Sequence, residues 1–325
     1  MVISKTPFRI SLIGGGTDFP NYYRHNPGLV IGGTIDKYCY VTARFLPNVF
    51  DYKHRIVWSK NEVVNNNNQI LHPTVKSVFK YLRIQKGLEI HYQGDLQKNS
   101  GLGTSSSFCV GLLNSINNLY NKKIKNIDLA NSAIQIEQNI MKEKCGSQDQ
   151  IWASFGGFNS IEFSSKNFRI KKLKIDDQKL KNLSKNLFLI YTGINKFSHE
   201  VEKDKILKLN HNSNKLHKIY NLAKVFKENI INNKNFDFIG PALEEYWNLK
   251  KLLSNKVTNP VINEIYNEAK LAGSSGGKII GSGGGGFLLM HCKKKFHSKL
   301  YKRLHKLPII KFNFVKKGSE IIFKS

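Results

Sequence analysis

Gly101-Leu102-Gly103-Thr104-Ser105-Ser106-Ser107-Phe108 is a glycine-led, hydroxyl-dense loop with a helix written directly behind it. Downstream, Cys109, Leu112, Leu113, Ile116, Leu119 and Tyr120 recur at i, i+3, i+4, i+7, i+10 and i+11, the apolar stripe of a helix lying on a core. Upstream, Gly87 to Leu96 reads as a strand. The loop therefore sits at a helix N-terminus, where unpaired N–H groups and the positive end of the macrodipole converge and glycines let an anion reach the backbone. That pattern reads as a phosphate cradle. A plainer reading stays open at this point: Thr104 to Ser107 cap a helix and the glycines turn the chain.

A chain of 325 residues exceeds the roughly 250–300 at which single cores stop growing, so two domains are expected. The Lys/Asp-rich stretch from Lys171 to Lys185 marks the boundary, giving units 1–180 and 181–325. No apolar run reaches the roughly 18 residues of a membrane span, and the opening residues lack the apolar block of a signal peptide. A cytoplasmic protein with no membrane partner is expected. The four cysteines, Cys39, Cys109, Cys145 and Cys292, are far apart and suggest neither a zinc site nor a disulfide framework. Net charge is +28, yet only seven of the 51 basic residues are arginine and the lysines are spread thinly. That distribution argues against nucleic acid as partner, while the field would still draw in nucleotides and sugar phosphates.

Along the chain, Val2 to Ile13 alternates as a strand and ends in Gly14-Gly15-Gly16-Thr17-Asp18, a sharp turn whose backbone can lie close to a ligand. Pro7 suits an edge strand or a strand start. Thr34 to Phe45 and Arg55 to Ser59 read as strands, and His72 to Ile84 as a helix. A helix from about Ile127 to Lys144 carries Ala130, Ala133, Ile134 and Met141 on its apolar face, and Glu137 falls on that same face. A carboxylate on a buried stripe needs a metal ion or a basic partner; a salt bridge at the stripe's edge is the plainer alternative. Cys145-Gly146-Ser147-Gln148-Asp149-Gln150 then presents Asp149 at the start of a short helical run, where an aspartate is most often a cap. Phe158 to Ile175 reads as strands, as does Leu187 to Thr192, and Asn195 to Ala272 is largely helical. Gly281 to Gly286 satisfies GxGxxG, but the apolar strand Phe287 to Cys292 follows instead of a helix, so the dinucleotide reading fails and a glycine hairpin remains. No GxxxxGK[ST] occurs. Helix His297 to His305 and a closing strand pair, Ile309 to Phe314 and Glu320 to Phe323, complete an α+β C-terminal half.

Three segments thus stand in order: Lys5 to Asp18, Gly101 to Phe108, and Gly276 to Gly286. Together with Cys145 to Gln150 they resemble the motifs of the GHMP kinases, the superfamily of galactokinase, homoserine kinase and mevalonate kinase. Gly14 to Pro20, Thr34 to Tyr38 and Gly146 to Gln150 look most like the heptose 7-phosphate kinases and related fucokinase domains. The resemblance implies an α+β, two-domain fold, a ribosomal S5 domain 2-like N-terminal domain followed by a ferredoxin-like one. It implies that Gly101, Leu102, Gly103, Thr104, Ser105, Ser106 and Ser107 wrap the phosphates of ATP, with Ser105 and Glu137 as ligands of Mg²⁺. Asp149 would be the general base or orienting acceptor for a sugar hydroxyl, and Arg9 would hold it ionised while balancing phosphoryl charge. Gly16, Thr17, Asp18, Asp36, Gly283 and Gly284 would contact the sugar, and Arg24, Lys37 or Lys196 a substrate phosphate. Gly15-Gly16 stands where galactokinases carry Glu-His, which argues against galactose. The implied activity is ATP-dependent phosphorylation of the anomeric hydroxyl of a heptose 7-phosphate or related sugar by a monomer or homodimer. Another sugar 1-kinase, acting on a fucose- or galactose-like substrate, or a non-catalytic sugar sensor are the alternatives.

Overall fold

The structure, a computed structural model, describes residues 1–97, 100–194, 204, 209–232 and 235–325. β1 (Val2–Ile13) and the 18-residue β2 (Gly28–Phe45) form the axis of an eight-stranded sheet. β2 serves two neighbours in succession: Gly28–Gly33 pairs with β6 (Phe158–Phe163), and Cys39–Phe45 pairs with β5 (Leu88–Gly94). β3 (His54–Val57) lies parallel to β5, β4 (Asn61–Val64) continues the edge, and β7 (Phe168–Lys172) extends β6. A second sheet, all antiparallel, has the order β11-β8-β10-β9, from β8 (Leu187–Tyr191), β9 (Ser274–Ile279), β10 (Phe287–Cys292) and β11 (Ile309–Ile310).

The expected closing strand pair does not form. Only Ile309–Ile310 joins β8, and β12 (Glu320–Lys324) crosses back to pair with Val2–Lys5 of β1. The edge of β1 offers a row of open N–H and C=O groups, and β12 covers it. The strand expected from Thr34 begins six residues earlier, so glycines 32 and 33 lie inside β2, where a side chain at Gly32 would meet the Ser11 backbone and the Trp152 ring. Pro7 also gains a reason. It sits past the last β12 pair, Lys5↔Glu320, and beside a register shift between Pro7 and Arg9, so its missing N–H falls where the ladder is already interrupted.

Helices cover the sheets. α1 is the single turn Pro20–Tyr23 and α2 runs Pro73–Leu82. α3 (Thr104–Leu119) lies across β1 and β2, and its stripe, Cys109, Leu112, Leu113 and Ile116, is wholly buried, each large side chain contributing about 1.5–3 kcal/mol. Buried hydroxyls fix its register on the sheet: Ser4 donates to the Gly111 carbonyl (2.9 Å), Ser115 to Val41 (3.0 Å) and Ser107 to Pro7 (2.9 Å). α4 spans Asn126–Ile134; the continuous helix expected to Lys144 instead widens into a π turn over Gln135–Ile140 and ends. α5 (Gln148–Phe155) and α6 (Asp177–Asn186) follow, then α7 (Leu209–Asn232), α8 (Ile239–Lys251), α9 (Pro260–Leu271) and α10 (His297–Arg303). No described helix is long and apolar enough to cross a membrane.

Candidate active site

The bulge in β1 is where the site begins. There the Arg9 N–H donates to the Leu102 carbonyl (3.0 Å), which ties the end of the phosphate-like loop to the strand. The Arg9 side chain, nearly buried, then forms a two-pronged pair with Asp149, Nε to Oδ1 and Nη2 to Oδ2, both 2.6 Å, and its Nη1 donates to the Gly101 carbonyl. A planar guanidinium matches a carboxylate in this way and fixes its orientation as well as its charge. Asp149 stands in the first turn of α5 yet makes no cap hydrogen bond. Its carboxylate belongs to Arg9.

Gly101 and Gly103 both take positive φ, +82° and +73°. A side chain at Gly101 would lie 2.6 Å from the Ile280 carbonyl, and one at Gly281 would lie 2.7 Å from the Gly101 Cα. The glycine hairpin between β9 and β10 therefore abuts the loop backbone to backbone. The Phe287 N–H completes the join on the Ser100 carbonyl (3.3 Å).

Glu137, 1% exposed, projects from the π turn toward the start of α3. Wider turns of this kind recur at functional sites because the extra residue re-aims a side chain. The hydroxyl that meets Glu137 is that of Ser106 (Oγ to Oε2, 2.8 Å), and Gln150 Nε2 donates to the same oxygen. Ser105 does not touch it. One residue along a helix turns the side chain by about 100°, so Ser106 faces the core while Ser105 is exposed at the mouth of the loop. Glu137 Oε1 is buried without a hydrogen-bond partner. Burial, then the nearby Glu143, pushes its carboxyl up to about 8, while Ser106 and Gln150 pull the other way. An orphaned buried carboxylate oxygen beside the Ser106 hydroxyl is a hard-oxygen donor set that fits Mg²⁺. Glu143 and Cys145 bring ligand atoms to within 4.8 Å of it, and the sulfur adds nothing for so hard an ion.

A cleft opens between the glycine turn, α5, α8 and the hairpin, lined by Arg9, Gly15, Gly16, Asp18, Asp149 and Gly281 among others. Asp18 is fully buried; Oδ1 accepts the Gly16 N–H (2.9 Å) and Oδ2 has no hydrogen-bond partner. Burial raises its carboxyl from 3.8 to about 6, with Asp149 adding to the rise and the Gly16 N–H opposing it. A larger cavity, about 940 Å³, lies between α4, the β6–β7 turn and α7; it shares no lining residue with this cleft and holds none of the paired groups described above.

The remaining expected contacts divide. Leu102 and Thr104 are buried in the loop, and Ser107 faces β1. Thr17 is buried and works within the turn, its hydroxyl 2.8 Å from the Gly14 carbonyl and accepting the Leu29 N–H (3.0 Å). Asp36 lies outside the cleft: its two oxygens accept from the Asn313 N–H and side-chain amide (both 2.9 Å), and Lys37 pairs with it. Strand alternation places it toward the segment ahead of β12. Gly283 and Gly284 face Val257, whose carbonyl accepts the Gly284 N–H (2.7 Å). Arg24 closes α1, and Lys196 lies outside the described residues. The cleft also holds residues that sequence reasoning passed over: Ser11, Gln148, Tyr246, Lys250, Lys278 and Ser282. A signal existed for three of them. Tyr246 and Lys250 share a helix face at i and i+4, and Lys278 is the one charged residue of Ser274–Ile279.

Residues 70–157 match the GHMP kinases N terminal domain and residues 226–306 the GHMP kinases C terminal domain. The chain belongs to the GHMP kinases. As such it is a phosphotransferase acting on an alcohol group, and GHMP kinases use ATP as phosphate donor, generally with a metal ion. The chain is 28% identical to the D-glycero-alpha-D-manno-heptose 7-phosphate kinase of Campylobacter jejuni, over 97% of each chain. It is 25% identical to the mevalonate kinase of Methanocaldococcus jannaschii, over 96% of this chain and 98% of that one. Among solved structures, the D-glycero-D-manno-heptose 1-phosphate kinase from Bacteroides thetaiotaomicron superimposes with a TM-score of 0.81 at 21% identity, covering all of both chains, which is a likeness of fold. The α+β GHMP kinase fold expected from the motifs is the fold observed.

Proposed function

We propose that this GHMP kinase transfers the γ-phosphoryl group of ATP to the anomeric hydroxyl of D-glycero-D-manno-heptose 7-phosphate or a closely related sugar, for nucleotide-sugar synthesis in the cytoplasm. One observation carries the reading: the Arg9–Asp149 pair sits between the Gly101–Gly103 loop on one side and the Asp18 turn on the other. A phosphate on the loop and a hydroxyl near Asp18 would meet at that pair. The heptose assignment is supported by the similarity to the Campylobacter jejuni enzyme along nearly the whole chain.

In this reading residues 101–107 hold the nucleotide phosphates at the start of α3, where the helix dipole and free N–H groups favour anions. Ser105, at the exposed mouth, and Glu137 would hold Mg²⁺, with Ser106 and Gln150 aligning the Glu137 carboxylate. When bound, the ion neutralises phosphate charge and so lowers the cost of the transfer. Asp149 accepts the proton of the attacking hydroxyl, kept in place by Arg9, which also faces the charge spreading onto the transferring group. Asp18 Oδ2 is the unfilled acceptor for a sugar hydroxyl. Residues 1–180 and 181–325 would act as two domains closing on this cleft, with β12 returning to the sheet of the first, in a monomer or homodimer.

The test is a coupled ADP-release assay on heptose 7-phosphate, heptose, fucose, mannose and mannose 6-phosphate, with product position read by phosphorus NMR. A 1-phosphate formed fastest from a heptose phosphate is expected. Turnover of none of these sugars, or phosphorylation at another carbon, would refute the reading.

A further inference from the structure

Tyr246, Lys250 and Lys278 line the cleft, yet the reaction described above uses none of them. Lys278, on β9 of the four-stranded sheet, is 2% exposed. Its ammonium reaches across to the eight-stranded sheet and donates to the carbonyls of Ser11 (2.6 Å) and Leu12 (3.0 Å), just ahead of the glycine turn. It also lies 4.5 Å above the ring of Tyr246, whose hydroxyl donates to the Gly15 carbonyl (2.8 Å). One helical turn further along α8, the buried Lys250 ammonium donates to the carbonyls of Ile279 (3.0 Å) and Gly281 (2.6 Å), at the start of the hairpin.

Three donors from the second half of the chain thus grip five backbone carbonyls, three around the sugar-side turn and two around the hairpin. Taking an ammonium out of water is costly, and a methionine of similar length would fill the same space at lower cost. What the ammonium adds is direction: it fixes where two backbone segments stand relative to each other. The hairpin in turn abuts the phosphate loop at Gly101. We propose that Lys278, supported by Tyr246 and Lys250, is a positioning residue that sets the spacing between the turn holding the sugar and the loop holding the nucleotide, acting through main-chain carbonyls. The proposal rests on the reading of the cleft as the place where a sugar hydroxyl is brought to Asp149.

Lys278→Met and Tyr246→Phe test it in two assays. In amide hydrogen exchange without ligand, residues 14–18 of Lys278→Met should exchange about tenfold faster and those of Tyr246→Phe by a smaller factor, with α2 unchanged, because the opening is local. Wild-type exchange at 14–18 in both variants overturns the proposal whatever the substrate. In steady-state kinetics on the sugar the wild type accepts, Lys278→Met should lose about 100-fold in kcat, the scale of a misplacement of about 1 Å, with sugar KM and ATP affinity held within about threefold. A raised sugar KM at full kcat would make Lys278 a substrate contact and overturn the proposal as well. A wild type that turns over no sugar sinks the proposed function alone, and the exchange assay still judges the spacing. If Lys278→Met does not fold, Tyr246→Phe, which loses a single hydroxyl, carries both assays.

Discussion

Replacing Gly146 by alanine should disable sugar transfer and leave nucleotide binding intact. A Cβ at position 146 would lie 2.6 Å from the Asp18 carboxyl carbon and closer still to Oδ2. Nonbonded carbons settle at about 3.5–4.0 Å, so the carboxylate has to retreat by roughly 1 Å. Little can absorb that retreat. Asp18 is fully buried, its Oδ1 is held by the Gly16 N–H, and its carbonyl accepts the Ser147 N–H (3.0 Å), next door to the new methyl group. Gly146 is not among the positive-φ glycines, so the effect is steric crowding and not backbone strain. Overpacking of this kind costs about 1–3 kcal/mol in stability, and a displacement of about 1 Å in a substrate-positioning group costs about 100-fold in rate. Sugar kcat/KM should therefore fall about 100-fold while the affinity for a fluorescent ATP analogue stays within about twofold, since residues 101–107 are untouched. A Gly146→Ala enzyme that folds and keeps wild-type sugar kinetics would refute the placement of Asp18 against the substrate.

Three more outcomes follow from the same geometry. Asp149→Asn keeps the shape but removes the proton acceptor, and kcat should drop by about 10²–10⁴ with ATP affinity retained; single-turnover kinetics near the wild-type rate would remove Asp149 from the chemistry. Ser105→Ala should weaken Mg²⁺ activation, measured by titrating the metal at fixed ATP, whereas Ser106→Ala should cost about 1 kcal/mol of thermal stability by loosening Glu137; the reverse pattern would move the metal to Ser106. The Asp18 carboxyl titrates near 6 in the folded protein against 3.8 ordinarily, so the native state keeps a proton that the unfolded chain has already lost. Stability from this group is therefore greatest below pH 3.8 and falls by roughly 3 kcal/mol as pH rises through 6. Asp18→Asn should flatten that part of the denaturation profile, and an unchanged slope would show that Asp18 is not the group responsible.

Local pattern revealed much of this molecule. The α3 stripe, the glycine turn ending β1 and the hairpin between β9 and β10 all follow from periodicity and glycine placement within a dozen residues. Glu137 announced itself as a carboxylate on an apolar face. What local pattern hides is phase and distance. Choosing Ser106 over Ser105 as the partner of Glu137 depends on where α3 begins, to one residue, and on a π turn that periodicity reads as ordinary helix. Asp36 looked like a pocket residue from its motif, but its partner, Asn313, stands 277 residues away. Lys278 meets Ser11 across 267 residues. Such pairings are set by how distant segments pack in the finished fold, and no window of sequence encodes that.

β12 carries a kinetic consequence. The strand covering the edge of β1 comes from residues 320–324 and pairs with residues 2–5, so the first strand of the sheet acquires its last neighbour from some 300 residues downstream. During synthesis β1, and with it the bulge that aims Arg9, emerges long before the segment that shields its edge. Contacts of such sequence separation form late, and an open strand edge waiting for its partner is a surface on which nascent chains associate. Refolding yield should therefore depend on protein concentration more steeply than the stability of the finished fold would suggest.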